Sequence, residues 1–122
     1  MKLDHNTNPD GRGKYALINL RKLQAPLQGA CIEMPDGSRF YHIPEDAVEW
    51  GNTVADEFFV LKLKDRFAGV ALRAYAAAVL AHSEDLRRHA VPQAGEWEEY
   101  AEEIDNLADR AGLNHPLCKL PD

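Results

Sequence analysis

The stretch that most restricts the fold is FAGVALRAYAAAVLA, from Phe67 to Ala81, in which Arg73 is the only charged residue. Spanning a bilayer takes about 20 consecutive apolar residues, so this stretch is too short to cross one and predicts a buried helix instead. Because apolar residues occupy every side of that helix, we expect a sheet to pack on one side and a second helix on the other. Asp65 is a suitable N-cap for a helix that begins at Arg66.

Arg73 needs a partner if this helix is buried, because an unpaired buried charge is strongly destabilising. The sequence offers two ordinary solutions. The guanidinium pairs with an acid of the last helix, such as Glu103 or Asp105, or it reaches solvent while its aliphatic stem stays buried. We favour these two arrangements over a role in ligand binding.

Local signals predict how the helical half continues. Ser83 precedes two acids, so it resembles an N-cap and predicts a separate short helix from Glu84 to Ala90. VPQAG then marks a break. The last helix is predicted from about Glu96 to Ala111, with Gly112 as its C-terminal cap and an extended tail after it. Its apolar residues recur at spacings of three and four: Trp97, Tyr100, Ala101, Ile104, Leu107, Ala108 and Ala111.

The N-terminal half carries strand and turn signals. LINLRK at Leu17–Lys22 and VLKLKD at Val60–Asp65 share one order of apolar, polar and basic residues. We interpret both as strands that pair in one sheet, although the first also has leucines at helical spacing. The PDG of Pro35–Gly37 predicts a β-hairpin, because Pro presets one turn dihedral and Gly accepts a positive φ. PEDAVEWG predicts a short helical turn from Pro44 to Gly51.

These elements predict an α+β fold: a small antiparallel sheet, made of the hairpin and one or two further strands, packed against two or three C-terminal helices. At 122 residues the chain has the size of one domain with one core. We therefore expect a single domain 1–122, in which residues 1–64 form mainly strands and turns, 65–112 are helical and 113–122 are an extended tail. Cys31 and Cys118 are most simply free thiols, with a disulfide that fastens the tail as the alternative.

The negative charge is concentrated in the helical half. The net charge of -6 divides into -1 for Met1–Lys64 (eight Lys or Arg, nine Asp or Glu) and -5 for Asp65–Asp122 (six against eleven). Seven acids and no basic residue lie between Glu96 and Asp109. Phosphate binding depends on Lys and Arg, so direct DNA or RNA binding is disfavoured. We expect the acids to form a protein-binding face instead, made of Glu98, Glu99, Glu102, Glu103 and Asp109.

The glycine-rich stretch NPDGRGKY, Asn8 to Tyr15, raises the question of a phosphate-binding loop. Aligned with the P-loop pattern, it has Asn8 in place of the first glycine and Tyr15 in place of the hydroxyl residue, so it does not fit. PDGSRFY, Pro35 to Tyr41, repeats its Pro-Asp-Gly and Tyr at the same offsets. Two turns with the same chemistry explain this repetition simply. Alternatively, the turns meet and bind an anionic or nucleotide-like ligand through Arg12, Lys14, Tyr15, Arg39 and Tyr41.

No pattern in the sequence indicates catalysis. The five histidines lack the His-x-x-x-His and His-Glu-x-x-His spacings that place two imidazoles on one metal ion. His82 and His89 are seven residues apart, but we expect the SED between them to break the helix. Ser38 lies in the predicted turn, and no Gly-x-Ser-x-Gly surrounds it or Ser83. We therefore expect no catalytic residues, no metal and no cofactor, and we interpret the chain as a binding protein, not an enzyme.

Three segments together resemble a group of small proteins that are common in tailed-phage and prophage genomes. They are NPDGRGKYALINLRKL (Asn8–Leu23), EFFVLKLKDRFAGVALRAYA (Glu57–Ala76) and LADRAGLNHPLCKLPD (Leu107–Asp122). The resemblance covers somewhat under half of the chain and implies a phage origin. Because no activity is established for that group, the resemblance assigns no catalytic residues.

Three functions fit a protein of such an origin. The first is inhibition of a host defence complex, with the acidic helix face imitating nucleic-acid charge against a basic groove of a host protein. The second is a module that sequesters a nucleotide-like anion at the two Pro-Asp-Gly turns. The third is a virion or assembly component that self-associates through exposed apolar residues such as Trp50, Phe58 and Trp97. The first residues lack the apolar core of a secretory signal, so we expect a cytoplasmic location, in the host cell if the protein is phage-encoded.

Overall fold

A computed structural model describes residues 13–23, 26 and 31–121 of the chain. It confirms the α+β fold, with two antiparallel sheets of two strands each and two C-terminal α-helices. The chain divides into two compact units, Met1–Val60 and Leu61–Asp122, close to the predicted change from strands to helices. Each unit is described by itself below.

The first sheet of the N-terminal unit joins β1 (Leu17–Ile18) to β4 (Val48–Glu49) in an antiparallel pair. β1 ends after two residues because Asn19 caps a 3₁₀ turn, accepting a hydrogen bond from the Arg21 N–H at 3.1 Å through its side chain. The predicted pairing with Val60–Asp65 is wrong. That segment is not a strand, and its similarity to LINLRK was a local pattern that carries no information about pairing.

The second sheet is the predicted hairpin, formed by β2 (Cys31–Glu33) and β3 (Arg39–Tyr41). Gly37 has the positive φ, 87°, that the turn requires. The Asp36 carboxylate accepts hydrogen bonds from the Ser38 hydroxyl at 2.5 Å and the Ser38 N–H at 2.9 Å, and these bonds lower the pKa of Asp36. The sequence predicted one sheet that includes the hairpin. In the structure the hairpin is instead a separate sheet from the β1–β4 pair.

The segment after Pro44 begins as predicted and ends early. A 3₁₀ turn covers Glu45–Ala47, and Ala47 is completely buried. The chain then extends into β4 instead of continuing as a helix to Gly51, which has a φ of 65°. Pairing with β1 accounts for the change, because the Asn19 N–H donates to the Ala47 carbonyl at 2.8 Å.

The C-terminal unit is an antiparallel helical hairpin of α1 (Ala68–Arg88) and α2 (Ala94–Ala108). Both helices have the apolar spacing of three and four that a packed helix needs. The core between them is made of small side chains with two larger aliphatic ones at its centre. Its members are Ala76, Val79, Ala101 and Ile104, with Leu72 packed against them.

Two predictions about α1 are corrected by its course. The helix begins at Ala68, two residues later than expected, although the Asp65 carboxylate does accept a hydrogen bond from the Phe67 N–H at 2.8 Å. Ser83 does not start a new helix, because α1 runs through it to Arg88. Its hydroxyl is buried and donates to the Ala94 carbonyl at 2.7 Å, which ties α1 to the start of α2.

The expectation that α1 is buried on every side is also wrong. Its buried residues form one stripe, and α2 covers that stripe. Val70 is 75% exposed and Leu80 is 41% exposed. An apolar composition on all sides indicates that a helix can be buried, but within the helical unit α2 packs against one side of α1 only.

α2 ends at Ala108, three residues before the predicted end, and Gly112 is not its cap. Gly112 lies instead at a close crossing with the start of α1, where a Cβ would stand 2.9 Å from the Gly69 nitrogen. A Cβ on Gly69 would stand 3.3 Å from the Ala111 carbonyl oxygen. The backbone segments at Gly69 and Gly112 therefore approach each other closely, which leaves no room for a side chain at Gly112 and little at Gly69.

The residues after Gly112 are fastened to the segment before α1. The Lys119 N–H donates to the Lys64 carbonyl at 2.9 Å, and the Arg66 N–H donates to the Lys119 carbonyl at 2.8 Å. Both cysteines are free thiols. Among the described residues, α1 and α2 are each too short or too polar to cross a membrane.

Candidate functional site

The seam between α1 and α2 has two flanks of different chemistry. On one, Arg73 and Arg87 of α1 meet acids of α2; we call this the ionic flank. On the other, Tyr75 and His82 of α1 meet Trp97 and Tyr100 of α2; we call this the aromatic flank. The two arginines are fourteen residues apart and Tyr75 and His82 are seven apart, so each set recurs along one side of α1.

The ionic flank contains the partners of Arg73. Its guanidinium lies 3.3 Å from the Asp105 carboxylate and 2.7 Å from the Asp109 carboxylate. The hydrogen bond to Asp109, supported by the charges of both acids, raises the pKa of Arg73. The predicted pair with Asp105 is confirmed, and Glu103 lies elsewhere. Arg73 is also 49% exposed, so the second predicted solution, a guanidinium in solvent, holds at the same time.

The predicted acidic face is therefore divided between two roles. Glu98 pairs with Arg87, and Asp109 pairs with Arg73, so the charges of these two acids are already neutralised by arginines of α1. In the part of the chain that the structure describes, no ion pair involves the other three members of the face, which are Glu99, Glu102 and Glu103. Helical spacing explains the division, because only one side of α2 faces the arginines of α1.

The aromatic flank is a chain of edge-to-face ring contacts. The ring centroids of Tyr75 and Tyr100 are 6.3 Å apart, those of Trp97 and Tyr100 are 6.0 Å apart, and those of His82 and Trp97 are 5.2 Å apart. The Tyr75 and Tyr100 hydroxyls are 3.4 Å apart, and this hydrogen bond raises the pKa of Tyr100. Tyr75 is nevertheless 54% exposed and Tyr100 41% exposed.

An open groove of about 520 Å³ lies on this flank. We call it the tyrosine groove. Aliphatic and tyrosine side chains form most of its lining, and one acid and one base complete it. The lining residues are Leu72, Tyr75, Tyr100, Glu103, Ile104, Leu107 and Arg110. From the sequence, the helical spacing of the tyrosines indicated that they belong to the core, so the groove was not predicted. Tyrosines on both helices could have indicated it, because a tyrosine has a polar hydroxyl that favours the edge of a core.

The residues of the two Pro-Asp-Gly turns are only partly described. Arg12 lies outside the described residues. The Lys14 ammonium is 5.5 Å from the centroid of the Tyr15 ring. Arg39 stands directly opposite Glu33 in the hairpin, and Tyr41 stands opposite Cys31. A carboxylate beside Arg39 weakens its attraction for an anion, and anion binding at the turns stays a prediction.

The histidines make contacts of other kinds. His82 packs against Trp97, and the His89 Nδ1 lies 2.8 Å from the Asp85 carbonyl oxygen. The expected helix break between His82 and His89 is wrong. α1 is continuous through this segment, so His82 lies within the helix and His89 is its C-cap. The His115 Nδ1 accepts a hydrogen bond from the Leu117 N–H at 3.0 Å. Within residues 13–23, 26 and 31–121, no three potential metal ligands are grouped together.

The residues expected to drive self-association differ in exposure. Trp50 is exposed and Phe58 is partly buried in the N-terminal unit. Trp97 is 39% exposed on the aromatic flank. The aromatic flank therefore holds one of the three residues named for that role.

Comparison with known proteins adds no relative. No protein-family model matches the chain, and no curated protein and no solved structure is significantly similar to it.

Proposed function

We propose that the chain is a protein-binding module that engages a basic protein surface through the outward side of α2. The observation that supports this most directly is the division of the acids. Glu99 and Glu102 have no ion-pair partner among the described residues, whereas Glu98 and Asp109 are already paired. Carboxylates that neutralise nothing within the described unit remain available to a basic partner.

The aromatic flank supports the same proposal from another direction. Tyrosine and tryptophan are the residues that most often carry binding energy at protein interfaces. Here Tyr100 and Trp97 are half-exposed on the helix that bears the unpaired acids. Acids steer a basic partner towards the surface, and aromatic rings supply contact area once it arrives.

The resemblance to tailed-phage proteins motivates a more specific form of the proposal. The partner is then a host protein in the host cytoplasm, and the activity is inhibition of a defence complex that normally binds nucleic acid. The carboxylates of α2 occupy the place of phosphates in the basic groove of that complex. Direct nucleic-acid binding is disfavoured by the same charges.

The proposal is tested first by capturing partners of the intact protein from host lysate and identifying them by mass spectrometry. The captured protein is then titrated with the variant Glu99→Lys/Glu102→Lys. Its control is Glu45→Lys/Glu84→Lys, which makes the same charge change at exposed acids off α2. We expect the first variant to lose at least tenfold in affinity and the control to bind almost as the parent does, with a strong salt dependence for the parent and the control and a weaker one for the first variant. Equal affinity of the two variants would contradict the proposal.

A further inference from the structure

Two side chains of opposite charge, Glu103 and Arg110, line the tyrosine groove. Tyr100, Glu103, Leu107 and Arg110 follow one another at spacings of three, four and three, so they form one stripe along the last turns of α2 and the residues just after it. Glu103 and Arg110 are the charged members, and Leu107 lies midway between them. Among the described residues neither charge takes part in an ion pair.

Such a stripe is complementary to itself when it is turned around. If two copies of α2 lie antiparallel and cross near Leu107, Glu103 of each copy faces Arg110 of the other. A two-fold axis repeats every contact, so both ion pairs form at once. A parallel arrangement would place like charges against each other, which disfavours it.

From this pattern we propose that the tyrosine groove is the docking surface for a second copy of this chain, bound antiparallel across a two-fold axis near Leu107. The apolar centre of the interface is formed by Leu107, which lines the groove beside the buried Ile104, and Tyr75 and Tyr100 close its sides. A partner of uniform charge fits less well, because a basic one meets Arg110 and an acidic one meets Glu103. Glu99, Glu102 and Trp97 lie outside the groove lining, so in the dimer the proposed basic partner still has two acids and an aromatic ring to bind, whereas Tyr100 is taken by the second copy.

Covering the groove would bury aromatic and apolar surface that is now exposed to water. The buried apolar residues of the helical unit are mostly alanine, with Val79 and Ile104 at the centre, and the aromatic side chains of this unit lie at the surface. Tyr75 and Tyr100 keep about half of their surface exposed although they are in contact with each other. Docking a second copy removes apolar and aromatic surface from water on both chains, and that removal is the main driving force for association.

Charge reversal tests the inference with the full-length protein in sedimentation-velocity experiments over a range of concentrations. We expect the parent to dimerise, and we expect Glu103→Arg and Arg110→Glu to raise the dissociation constant at least about tenfold each, because two attractive pairs become two repulsive ones. Two further samples must then regain the dimer: an equimolar mixture of the two variants, and the double variant Glu103→Arg/Arg110→Glu. Both restore an acid opposite a base.

Two controls separate docking from misfolding and from general charge effects. Glu99→Arg makes the same charge change outside the groove and should leave the dimer intact. Leu107→Cys, made with Cys31→Ser and Cys118→Ser, places one thiol near the proposed axis and should form a cross-linked dimer on mild oxidation. Glu99→Cys in the same background should not. A parent that stays monomeric at millimolar concentration, a mixture that fails to associate, or an uncrosslinked Leu107→Cys variant would each overturn the inference.

Discussion

The two flanks of the helical hairpin are formed by the same two helices but differ in how far their side chains are satisfied within the unit. On the ionic flank, Arg73 and Arg87 meet acids of α2, so the charges are satisfied within the unit. On the aromatic flank, Tyr75 and Tyr100 contact each other but remain about half exposed. Exposed ion pairs contribute little to stability, whereas exposed aromatic rings retain binding energy for a partner.

The difference shows how the acids of α2 should be interpreted. A run of acids in a sequence indicates a charged surface, but it does not show which members of the run are free. Position around the helix decides this, since Glu98 lies beside Arg87 and Glu99, one residue later, points to another side.

Substituting Gly112 by alanine should disrupt both flanks, because it disturbs the crossing that positions the start of α1. Gly112 has a φ of 61°, and an added Cβ would lie 2.9 Å from the Gly69 nitrogen. We expect a loss of about 2–4 kcal/mol in the free energy of unfolding, measured by urea denaturation. Gly95→Ala is the matched control. No atom lies within 4 Å of its added Cβ, so a small gain of up to about 1 kcal/mol is expected.

Trp97→Ala should weaken the aromatic flank alone. It removes the ring contacts with His82 and Tyr100, and we expect a loss of about 2 kcal/mol. A salt titration distinguishes this flank from the ionic one, because the loss should be the same at low and high salt. A loss that disappears at high salt would show that the contact is electrostatic.

The ionic flank should respond much less. In a double-mutant cycle of Arg87→Gln and Glu98→Gln, we expect a coupling energy below about 1 kcal/mol that decreases further with salt. Chemical denaturation at two ionic strengths measures it. A salt-independent coupling well above this limit would mean that the pair is shielded from solvent.

The smallest effect at neutral pH concerns the tyrosine pair. The hydrogen bond with Tyr75 raises the pKa of Tyr100 above the value of 10.0 for an unperturbed tyrosine. A raised folded-state pKa contributes stability that is complete below the unfolded pKa and is lost as pH rises through the folded one. Tyr75→Phe should therefore lower the free energy of unfolding slightly at pH 7, where this contribution is complete, and the difference between the two proteins should shrink as pH rises above about 10. The ring resonances of Tyr100 followed by NMR during a pH titration measure the shift, and the same Tyr100 pKa in the two proteins would contradict it.

Much of the fold follows from local sequence signals. The Pro-Asp-Gly turn predicts the hairpin because the dihedral angles of Pro35 and Gly37 are set by the residues themselves. The spacing of apolar residues at intervals of three and four predicts α2, because this periodicity is also a property of residues that are close in the sequence. The ion pair of Arg73 was predictable as well, because a charge within an apolar helix needs a carboxylate and the next helix supplies several.

The errors occur where the outcome depends on residues far apart in the chain. Ser83 is followed by acids, as an N-cap often is, yet its hydroxyl donates a hydrogen bond to the carbonyl of Ala94, eleven residues later. β1 pairs with Val48–Glu49 and not with the segment that resembles it. The tyrosine groove was missed because Tyr100 at helical spacing is equally consistent with burial in a core.

The different exposure of the two flanks is best tested by NMR. Amide chemical shifts of the isotopically labelled protein are recorded at each concentration of a dilution series. If the aromatic flank is an open docking surface, the shifts of Tyr75, Tyr100 and Leu107 depend on concentration, while those of Arg73 and Arg87 do not. Shifts that are independent of concentration throughout the helical unit, or changes confined to the two arginines, would contradict this account.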